Sequence, residues 1–398
     1  MATVLEKAGR VLGNAVVRPL SSRSNRNRRH WLFGHQHGEF AGNAKFLYLY
    51  LLLHRPDIKP MWITHRDDVE AHLRTNGLPV CRSNTPGGVR ASLQSGVYLY
   101  CHGPEDVSVT FGAGAVLVNL WHGVGLKAIQ FGDARSNANR YSDPAIGWLK
   151  RTYGLASRLD PDLLITTSPF TASHFAGQFR MPLERCPPCG YPRLDVALDA
   201  KLAAMVSAID GAKVAALRRE RPAEVYVYAP TFRDSVRDFL ADALPDPARL
   251  NAVLEARNAL LYVKLHPHTP VPASWPFARI RKWPADLDIY SSLSQIDALI
   301  TDYSSLHYDW IFYSSRGAVL YAPDAEEYGR HDRSLLYPFE DNVAGKVARS
   351  FDDLLALLAG GEALLGDPDL PLVRERFWGH EQGPASARVI AAVERFLG

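Results

Sequence analysis

The sequence predicts an α/β protein built from two doubly wound parallel sheets. Short apolar runs alternate with longer segments of helical periodicity along the chain, which is the pattern of βαβ units. The chain has 398 residues, which is more than one ordinary hydrophobic core accommodates. A stretch rich in Pro and Gly, CPPCGYPRLD at 186–195, lies near the middle and predicts a boundary between two domains.

The first half contains five candidate strands, each a short apolar run rich in β-branched or aromatic residues. They are WLFGH (31–35), MWIT (61–64), VYLY (97–100), VLVNLW (116–121) and LLITTS (163–168). Between the first two lies NAKFLYLYLLLHR (43–55), which is long and apolar enough for a partly buried helix.

The second half repeats this arrangement after a polar, Ala-rich helical stretch. Its candidate strands are VYVYAPT (225–231), LLYVKLHPH (260–268), ALITD (298–302) and AVLYA (318–322), with a helix predicted at 305–314. We therefore divide the chain into a basic segment 1–30, a first α/β domain 31–190, a second α/β domain 191–385 and a closing amphipathic helix 386–398.

The composition is that of a globular intracellular protein. No apolar run reaches the roughly 18 residues that a membrane-spanning helix needs, and no compact apolar block with a cleavage site marks a signal peptide. The four cysteines are too few for a disulfide framework, which favours the reducing cytoplasm.

The N-terminal segment is strongly basic. Through residue 29 its single acid, Glu6, stands against Lys7, Arg10, Arg18, Arg23, Arg26, Arg28 and Arg29. Such a cluster attracts anionic lipid, by roughly 1 kcal/mol per basic residue near the membrane surface, and GWLKRTYGLASRL (147–159) repeats the mixture of basic and apolar residues. We expect peripheral membrane contact, with a solvated tail as the alternative. Nucleic acid is not expected as a partner, because no motif of aromatic and basic residues accompanies the charge.

Polar residues gather just past the predicted ends of four strands. Parallel strands of one sheet end at the same edge, so such residues meet there and line the ligand site of a doubly wound domain. The residues are Trp121, His122 and Gly123 in the first half, and Thr231, Arg233, Lys264, His266, His268, Asp302, Ser304 and Ser305 in the second.

Several of these residues suit a phosphate group. Ser304 and Ser305 stand where a strand leads into a helix, so hydroxyls, free backbone N–H groups and the positive end of the helix dipole come together. Arg233 offers a fork for two phosphate oxygens. Plain capping of the helix by one serine is the alternative. The chain has no GxxxxGK[ST] or GxGxxG loop, which argues against an ATPase or a dinucleotide-dependent oxidoreductase.

Two stretches could ligate a metal, and neither is a strong signal. The CxxC of CPPC lacks a second pair of cysteines, and His35, His37 and Glu39 alternate in GHQHGEF, where two glycines indicate a loop. We predict no metal site and no obligatory cofactor. Mg²⁺ held by Asp302 against a diphosphate is left open.

Taken together, these stretches resemble the CDP-glycerol glycerophosphotransferases of teichoic-acid and capsule synthesis. The motifs that carry the resemblance cover roughly residues 31 to 340 in the same order, from WLFGHQHGEFAGNAKFLYLYL and MWIT through LWHGVGLK, GYPRLD, YAPTFRD and KLHPH to ITDYSSLHYDWIFYSSRGAVLYAPDAEEY. The resemblance implies the GT-B fold, in which two Rossmann-like domains with parallel sheets face each other across a cleft. It also implies a cytoplasmic enzyme, peripheral at the inner face of the cell membrane.

The resemblance further implies roles for individual residues. His122 of the WHG motif resembles the family's catalytic base, and His266 of the KxHP motif resembles its second essential histidine, near the donor phosphates. The donor side then comprises Arg233, Thr231, Lys264, His268, Asp302, Ser304, Ser305 and Glu327, and the acceptor side comprises His35, Asn43, Trp121 and Gly123. A core histidine at the end of a strand is the alternative for His122. His35 and His37 stand where the family often has Trp and Phe, a departure that concerns the acceptor more than the reaction.

The implied reaction transfers glycerol phosphate from CDP-glycerol to a hydroxyl of a polymeric or lipid-linked acceptor and releases CMP. CDP-ribitol is a close alternative donor. A GT-B glycosyltransferase that uses a nucleotide sugar is the runner-up, and a catalytically inactive scaffold subunit is the alternative from another class.

Overall fold

A computed structural model describes residues 16–125, 127–133, 160–231, 239–265, 276–324, 335–361, 366–379 and 383–398. Within these ranges the chain forms two compact units. Unit 1 contains 16–122, 130–133, 160–205 and 383–398, and unit 2 contains the other described residues. The short segment Gly123–Ile129 thus belongs to unit 2, although the residues before and after it in the sequence belong to unit 1.

Unit 1 is built on a sheet of six parallel strands in the order β3-β2-β1-β4-β5-β6. The strands are β1 Asn27–Phe33, β2 Lys59–Thr64, β3 Val80–Arg82, β4 Ser95–Tyr100, β5 Val116–Asn119 and β6 Leu163–Leu164. Its helices are α1 Arg18–Ser21, α2 Gly42–His54, α3 Asp67–Thr75, α4 Pro86–Gln94 and α5 Pro169–Phe179.

The central elements of unit 1 are buried along their length. Every residue of β4 is buried, as expected for a parallel strand that is covered on both faces. Helix α2 is buried from Asn43 to Leu51, so the apolar stretch at 43–55, predicted as a partly buried helix, is helical and lies mostly in the core. Residues of four strands and one loop form a hydrophobic cluster on this sheet, namely Leu32, Ile63, Tyr98, Tyr100, Val107 and Leu117.

Unit 2 repeats the plan with a second parallel sheet in the order β12-β11-β10-β7-β8-β9. Its strands are β7 Glu224–Ala229, β8 Ala259–Val263, β9 Ile280–Lys282, β10 Ala298–Thr301, β11 Ala318–Tyr321 and β12 Gly345–Ala348. Helix α6 (Ala200–Ala216) begins in unit 1 and ends in unit 2. The remaining helices are α7 Phe239–Ala243, α8 Pro247–Ala256, α9 Leu306–Tyr313, α10 Phe351–Gly360 and α11 Leu370–Trp378.

Both sheets have the same doubly wound topology. In each, the second and third strands lie in order on one side of the first strand. The chain then crosses to the other side of the first strand, where the next three strands follow in order. This confirms the predicted α/β class with two Rossmann-like sheets. Each of the nine predicted strands overlaps an observed strand, whereas β3, β9 and β12 were not predicted.

The C-terminal helix, α12 (Ala385–Leu397), packs on unit 1. The buried carboxylate of Asp195 accepts hydrogen bonds from the backbone N–H groups of Ala385 (2.6 Å) and Ser386 (2.7 Å) at the helix N-terminus. Farther along the helix, Glu394 pairs with Arg29 and Arg55, each at 2.6 Å. The sequence predicts a domain boundary at 190/191, and the chain passes from unit 1 to unit 2 after residue 205, within α6.

Most described arginines of the basic segment bind the protein itself. Arg18 donates to the carbonyl of Val109 at 2.9 Å, Arg28 donates to the carbonyl of Leu397, and Arg29 pairs with two carboxylates. The guanidinium of Arg26 donates to the carbonyls of Ser92, Ser95, Phe111 and Ala113. Arg23, Arg28 and Arg29 are nevertheless exposed, and other residues of the predicted membrane contact, which include Lys7, Arg10 and 147–159, lie outside the described residues.

Candidate active site

Three histidines meet at the carboxyl edge of the unit 1 sheet. His35 follows β1, His102 follows β4 and His122 follows β5, and these strands are neighbours in the sheet. The rings of His102 and His122 stack at 4.5 Å between centroids with 15° between their planes, and His35 meets His102 edge-on at 4.9 Å. The chain reverses its winding direction between β1 and β4, which is where doubly wound sheets bind ligands. We call these three residues the histidine cluster.

The hydrogen bond that His122 makes defines its tautomer. Its Nδ1 lies 3.0 Å from the backbone carbonyl oxygen of Cys101. A carbonyl oxygen can only accept, so in the neutral ring Nδ1 carries the proton and Nε2 carries the lone pair. His122 is exposed within the described structure, so Nε2 is the nitrogen available as a base.

The surroundings of His122 favour the neutral imidazole. Although His122 is exposed as a residue, the rings of His102 and Trp121 pack against its imidazole, and this local crowding reduces its hydration and lowers its pKa below the ordinary 6.5. The proximity of His102 lowers the pKa further, the Cys101 carbonyl opposes this effect, and Arg193 and His35 add further decreases. A neutral ring at physiological pH is the form that can accept a proton.

The turn that carries His122 has an unusual backbone. Trp121 adopts a left-handed conformation with φ +56°, which costs a bulky residue of the order of 1–3 kcal/mol. Its N–H donates to the side-chain oxygen of Asn119 at 2.8 Å, and its ring packs against Phe175 and Phe179. This conformation ends β5 at Asn119, two residues before the predicted strand end, and turns His122 out of the sheet.

Two buried side chains hold this turn. The amide of Asn43 donates to the carbonyls of Leu120 (3.1 Å) and Trp121 (2.9 Å), and Arg193 donates to the carbonyl of His122 (2.9 Å). Arg193 is tied to Asn43 in turn, because its N–H donates to the Asn43 side-chain oxygen at 3.2 Å. Both residues are buried, and their contacts assign them to positioning the turn.

In unit 2, the described candidate residues lie at the carboxyl edge of three adjacent strands. β10, β7 and β8 are neighbours in the sheet and are followed by Asp302, Thr231 and Lys264 respectively. The carboxylate of the buried Asp302 accepts the N–H of Thr231 with both oxygens, at 2.8 and 3.1 Å. Asp302 thus ties the ends of β10 and β7 together at the point where this sheet reverses its winding direction.

Ser304 and Ser305 lie just before helix α9 and are partly exposed. The hydroxyl of Ser304 accepts a hydrogen bond from the N–H of Leu306 at 3.3 Å, whereas Ser305 occupies the N-cap position without a side-chain capping bond. Simple capping therefore accounts for Ser304 and does not account for the Ser305 hydroxyl.

The segment Gly123–Ile129 packs against this edge of unit 2. Lys127 donates from Nζ to the hydroxyl of Thr231 at 3.1 Å and forms a β-bridge with Leu335. Gly123 lies so close to Ser305 that a Cβ atom on the glycine would come within 2.9 Å of the serine Cβ. A lysine and three hydroxyls, those of Thr231, Ser304 and Ser305, thus belong to one edge of this unit.

Four predicted site residues fall outside the described residues: Arg233, His266, His268 and Glu327. Lys264 is described, and its backbone N–H donates to the carbonyl of Tyr228 at 2.8 Å. This bond belongs to the ladder between β7 and β8, at the pair formed by Tyr228 and Val263. The role of the Lys264 side chain stays a prediction, as do the roles of the four residues above.

The two candidate metal stretches form no metal site in the part of the chain that the structure describes, where no group of three or more His, Cys, Asp or Glu side chains could hold an ion. Cys186 and Cys189 are buried free thiols. His35 Nδ1 lies 3.8 Å from a carboxylate oxygen of Glu39, and His37 adopts a left-handed conformation with φ +57°. Among the described residues, no helix is long and apolar enough to cross a membrane.

Sequence reasoning missed three residues that the structure brings to these edges: His102, Arg193 and Lys127. His102 carried a usable signal, because it closely follows the apolar run VYLY, as other candidate residues follow their own strands. Arg193 and Lys127 lie within the motifs GYPRLD and LWHGVGLK, but their partners are distant in the sequence.

Comparisons with known proteins agree with this architecture. The chain is 26% identical over 287 residues to a teichoic acid ribitol-phosphate primase of Bacillus spizizenii, which covers 71% of this chain and 70% of the primase. It is 26% identical over 294 residues to the teichoic acid ribitol-phosphate polymerase TarL of Staphylococcus aureus, covering 72% of this chain and only about half, 49%, of the polymerase. The solved structure of the wall teichoic acid polymerase TagF shares the fold, with a TM-score of 0.72 at 19% identity over 100% of this chain and 99% of that one.

A family model supplies the assignment. The model described as CDP-glycerol:poly(glycerophosphate) glycerophosphotransferase matches residues 17–395, which is nearly the whole chain. The match includes every motif on which the resemblance was based and confirms it. The chain belongs to the CDP-glycerol:poly(glycerophosphate) glycerophosphotransferase family.

Proposed function

We propose that this protein transfers glycerol phosphate from CDP-glycerol to a hydroxyl group of a polymeric or lipid-linked acceptor and releases CMP. The observation that carries the proposal is the hydrogen bond from His122 Nδ1 to the Cys101 carbonyl, which leaves Nε2 as the basic nitrogen of an exposed residue. Family membership supplies the reaction class. A core histidine at the end of a strand would not need an exposed ring that is fixed in one tautomer.

The proposed chemistry is a single displacement at phosphorus. Nε2 of His122 accepts the proton of the acceptor hydroxyl as its oxygen forms a bond to the phosphorus that carries glycerol. The bond from that phosphorus to the bridging oxygen breaks, and the electron pair leaves on CMP. The protein's share of such a reaction is mainly positioning and charge stabilisation.

Unit 2 supplies the proposed donor site. The Nζ of Lys127 and the hydroxyls of Thr231 and Ser305 offer a positive charge and hydrogen-bond donors to the diphosphate. Asp302 acts indirectly, since its carboxylate fixes the backbone of Thr231. Arg233, His266, His268 and Glu327 join this donor side in the proposal on the strength of their motifs.

CDP-ribitol is the second candidate donor. The relatives favour it, because the primase of Bacillus spizizenii and TarL of Staphylococcus aureus are both described as ribitol-phosphate enzymes. Glycerol and ribitol differ only in the part of the donor beyond the diphosphate, so the same base and the same phosphate contacts serve either. A direct comparison of the two donors decides between them.

The proposal includes no obligatory cofactor. Mg²⁺ would act by binding the diphosphate of the donor, and it would not need a cage of protein carboxylates. Measuring turnover with EDTA and then with added Mg²⁺ tests this point. We also propose that the enzyme works at the inner face of the cell membrane, and flotation with anionic and with neutral vesicles tests that location.

The decisive experiment measures nucleotide release by the purified protein, as CMP from CDP-glycerol or CDP-ribitol and as the nucleoside diphosphate from a nucleotide sugar, with a short polyol-phosphate oligomer as acceptor. His122→Asn should lower turnover by about 10²–10⁴-fold while the protein melts normally, because a general base contributes that much. His72→Ala, a substitution on helix α3, is the matched control and should keep full activity.

Each other outcome has a definite meaning. Release from the nucleotide sugar alone would establish a glycosyltransferase. Binding without release from any donor would favour a scaffold subunit. Equal turnover by wild type and His122→Asn would return His122 to a purely structural role.

A further inference from the structure

The contacts of His122 lead to a residue that the sequence did not single out. His102 Nδ1 lies 3.4 Å from a carboxylate oxygen of Asp106, and its ring stacks on His122. The side chain of Asp106 is almost wholly buried, with 2% of its surface exposed, whereas His102 keeps 26%. A buried carboxylate thus lies behind the ring that supports the proposed base.

Asp106 also organises the backbone that holds His122. One of its carboxylate oxygens accepts the N–H of Cys101 at 3.1 Å and the N–H of His102 at 2.9 Å. The carbonyl of Cys101 is the group that binds His122 Nδ1. Asp106 therefore fixes both supports of the base, namely the carbonyl that sets its tautomer and the ring that sets its plane.

We propose that His102, anchored by Asp106, is a positioning residue that keeps the His122 imidazole in the plane and tautomer in which Nε2 serves as the base. The inference rests on the proposed function and names a residue that acts through His122. Stacking at 4.5 Å leaves the ring little freedom to rotate, and the Cys101 carbonyl selects the rotamer with Nδ1 inward. Misplacing a catalytic group by about 1 Å can lower the rate about 10²-fold, so such support is needed for catalysis.

Within the described part of unit 1, the groups that face His122 come from several elements. His102 stacks on one face of the ring, and Trp121 lies against it at 4.2 Å between centroids. His35 packs edge-on against His102, and the guanidinium of Arg193 binds the His122 carbonyl. Of the charged and titratable groups among them, His102 has the largest electrostatic effect, and its presence lowers the pKa of His122.

Two variants of His102 separate stacking from charge. His102→Phe keeps a flat ring against His122 and removes the ionisable group, whereas His102→Ala removes both. We expect His102→Phe to retain turnover within about threefold, and His102→Ala to lose about 10- to 100-fold in kcat with little change in the KM for the donor. His72→Ala again controls for the loss of a histidine elsewhere in unit 1.

The pH profile supplies a readout that a purely structural role would not move. Activity requires neutral His122, so kcat falls on the acid side as this ring becomes protonated. Because the proximity of His102 lowers the pKa of His122, we expect that pKa to rise when the ionisable ring is removed, and the acid limb of kcat to move to higher pH in both variants. Nitrogen-15 spectra of histidine-labelled protein, with the His122 signal identified from His122→Asn, report its tautomer without any turnover.

The outcomes distinguish this inference from the proposed function. If wild type turns over no donor, the proposed function fails, and the spectra still show whether Nδ1 of His122 carries the proton and whether His102→Ala disturbs it. If wild type is active and both variants keep its rate, its acid limb and its His122 tautomer, the positioning role is overturned. An equal loss of kcat in both variants with an unmoved acid limb would also overturn it, because the flat ring of His102→Phe would then have failed to support His122.

Discussion

The guanidinium of Arg193 donates a hydrogen bond to the backbone carbonyl of His122 at 2.9 Å, although 71 positions separate the two residues in the sequence. Asn43 binds the two preceding carbonyls, so three consecutive carbonyl groups of the turn are held by two side chains. The exposed base is therefore held in place by buried hydrogen bonds to the backbone of its turn. These hydrogen bonds explain how a turn with an unfavourable backbone conformation at Trp121 is maintained.

Replacing Arg193 should damage the turn as well as the fold. In Arg193→Lys the single ammonium cannot reproduce the planar fork, so we expect a loss of about 1–3 kcal/mol in the free energy of unfolding. kcat should fall more than the donor KM changes, because the displaced group is the base. Chemical denaturation and steady-state kinetics measure the two effects, with Arg185→Lys on the surface as control. A stability loss with unchanged kcat would confine Arg193 to a role in folding.

Adding a methyl group at Gly123 should disturb the donor edge of unit 2. A Cβ atom there would come within 2.9 Å of the Ser305 Cβ, which is too close for any real contact. We expect Gly123→Ala to raise the KM for the donor and lower the melting temperature, and Ser305→Gly in the same chain to relieve the clash. Gly177→Ala in helix α5 is the control, since nothing described lies within 4 Å of that site and alanine suits a helix better. Normal donor binding by Gly123→Ala would show that the segment can shift without consequence.

Lys127 should contribute to the affinity for the donor. A charge-assisted hydrogen bond is worth about 1.5–3 kcal/mol, so Lys127→Met should weaken CDP-glycerol binding by roughly 10- to 100-fold. Calorimetric titration measures this directly, with CMP as a ligand that lacks the second phosphate. Lys282→Met, an exposed substitution on β9, controls for the loss of one positive charge. Equal affinities for wild type and Lys127→Met would remove Lys127 from the donor site.

The buried carboxyl of Asp195 should make stability depend on pH. Burial raises its pKa from 3.8 to about 6, although hydrogen bonds from Ser386 and Ala385 oppose that shift. The folded state then binds the proton more tightly than the unfolded state, so this contribution is fully present below about pH 4 and is lost as pH rises through about 6. A shift of this size corresponds to roughly 2–3 kcal/mol.

Comparing wild type with Asp195→Asn isolates this contribution. The free energy of unfolding of wild type, relative to that of Asp195→Asn, should fall as pH rises from about 4 to about 6.5 and stay constant above that range. Urea denaturation at several pH values measures the difference. A difference that does not vary with pH would mean that folding leaves the pKa of Asp195 unchanged, because its two N–H donors at the start of α12 offset the effect of burial.

The central strands could be predicted from the sequence because strands buried on both faces consist of continuous apolar residues. β4 and β7 are almost wholly buried, and VYLY and VYVYA are correspondingly apolar runs with strong β propensity. The three missed strands, Val80–Arg82, Ile280–Lys282 and Gly345–Ala348, lie at the edges of their sheets. Each has three or four residues with partial exposure, which is too short and too polar for a periodic pattern to be recognised.

The site was predictable where a residue's position along its own strand decides its role. His122 and Asp302 follow strand ends, and the topology brings each of them to a sheet edge. The contacts of Arg193 with His122 and of Lys127 with Thr231 depend on chain segments 71 and 104 residues apart, and no local pattern encodes them. The buried amide of Asn43, predicted for the acceptor side, binds the carbonyls of the turn.

The attachment of α12 to unit 1 imposes an order on biosynthesis. All of unit 2 precedes this helix in the sequence, so the ribosome must produce unit 2 before it produces the segment that completes unit 1. Until then Asp195 lacks its two N–H partners, and Arg29 and Arg55 lack Glu394. The unit that carries the proposed base is therefore begun first during translation and finished last.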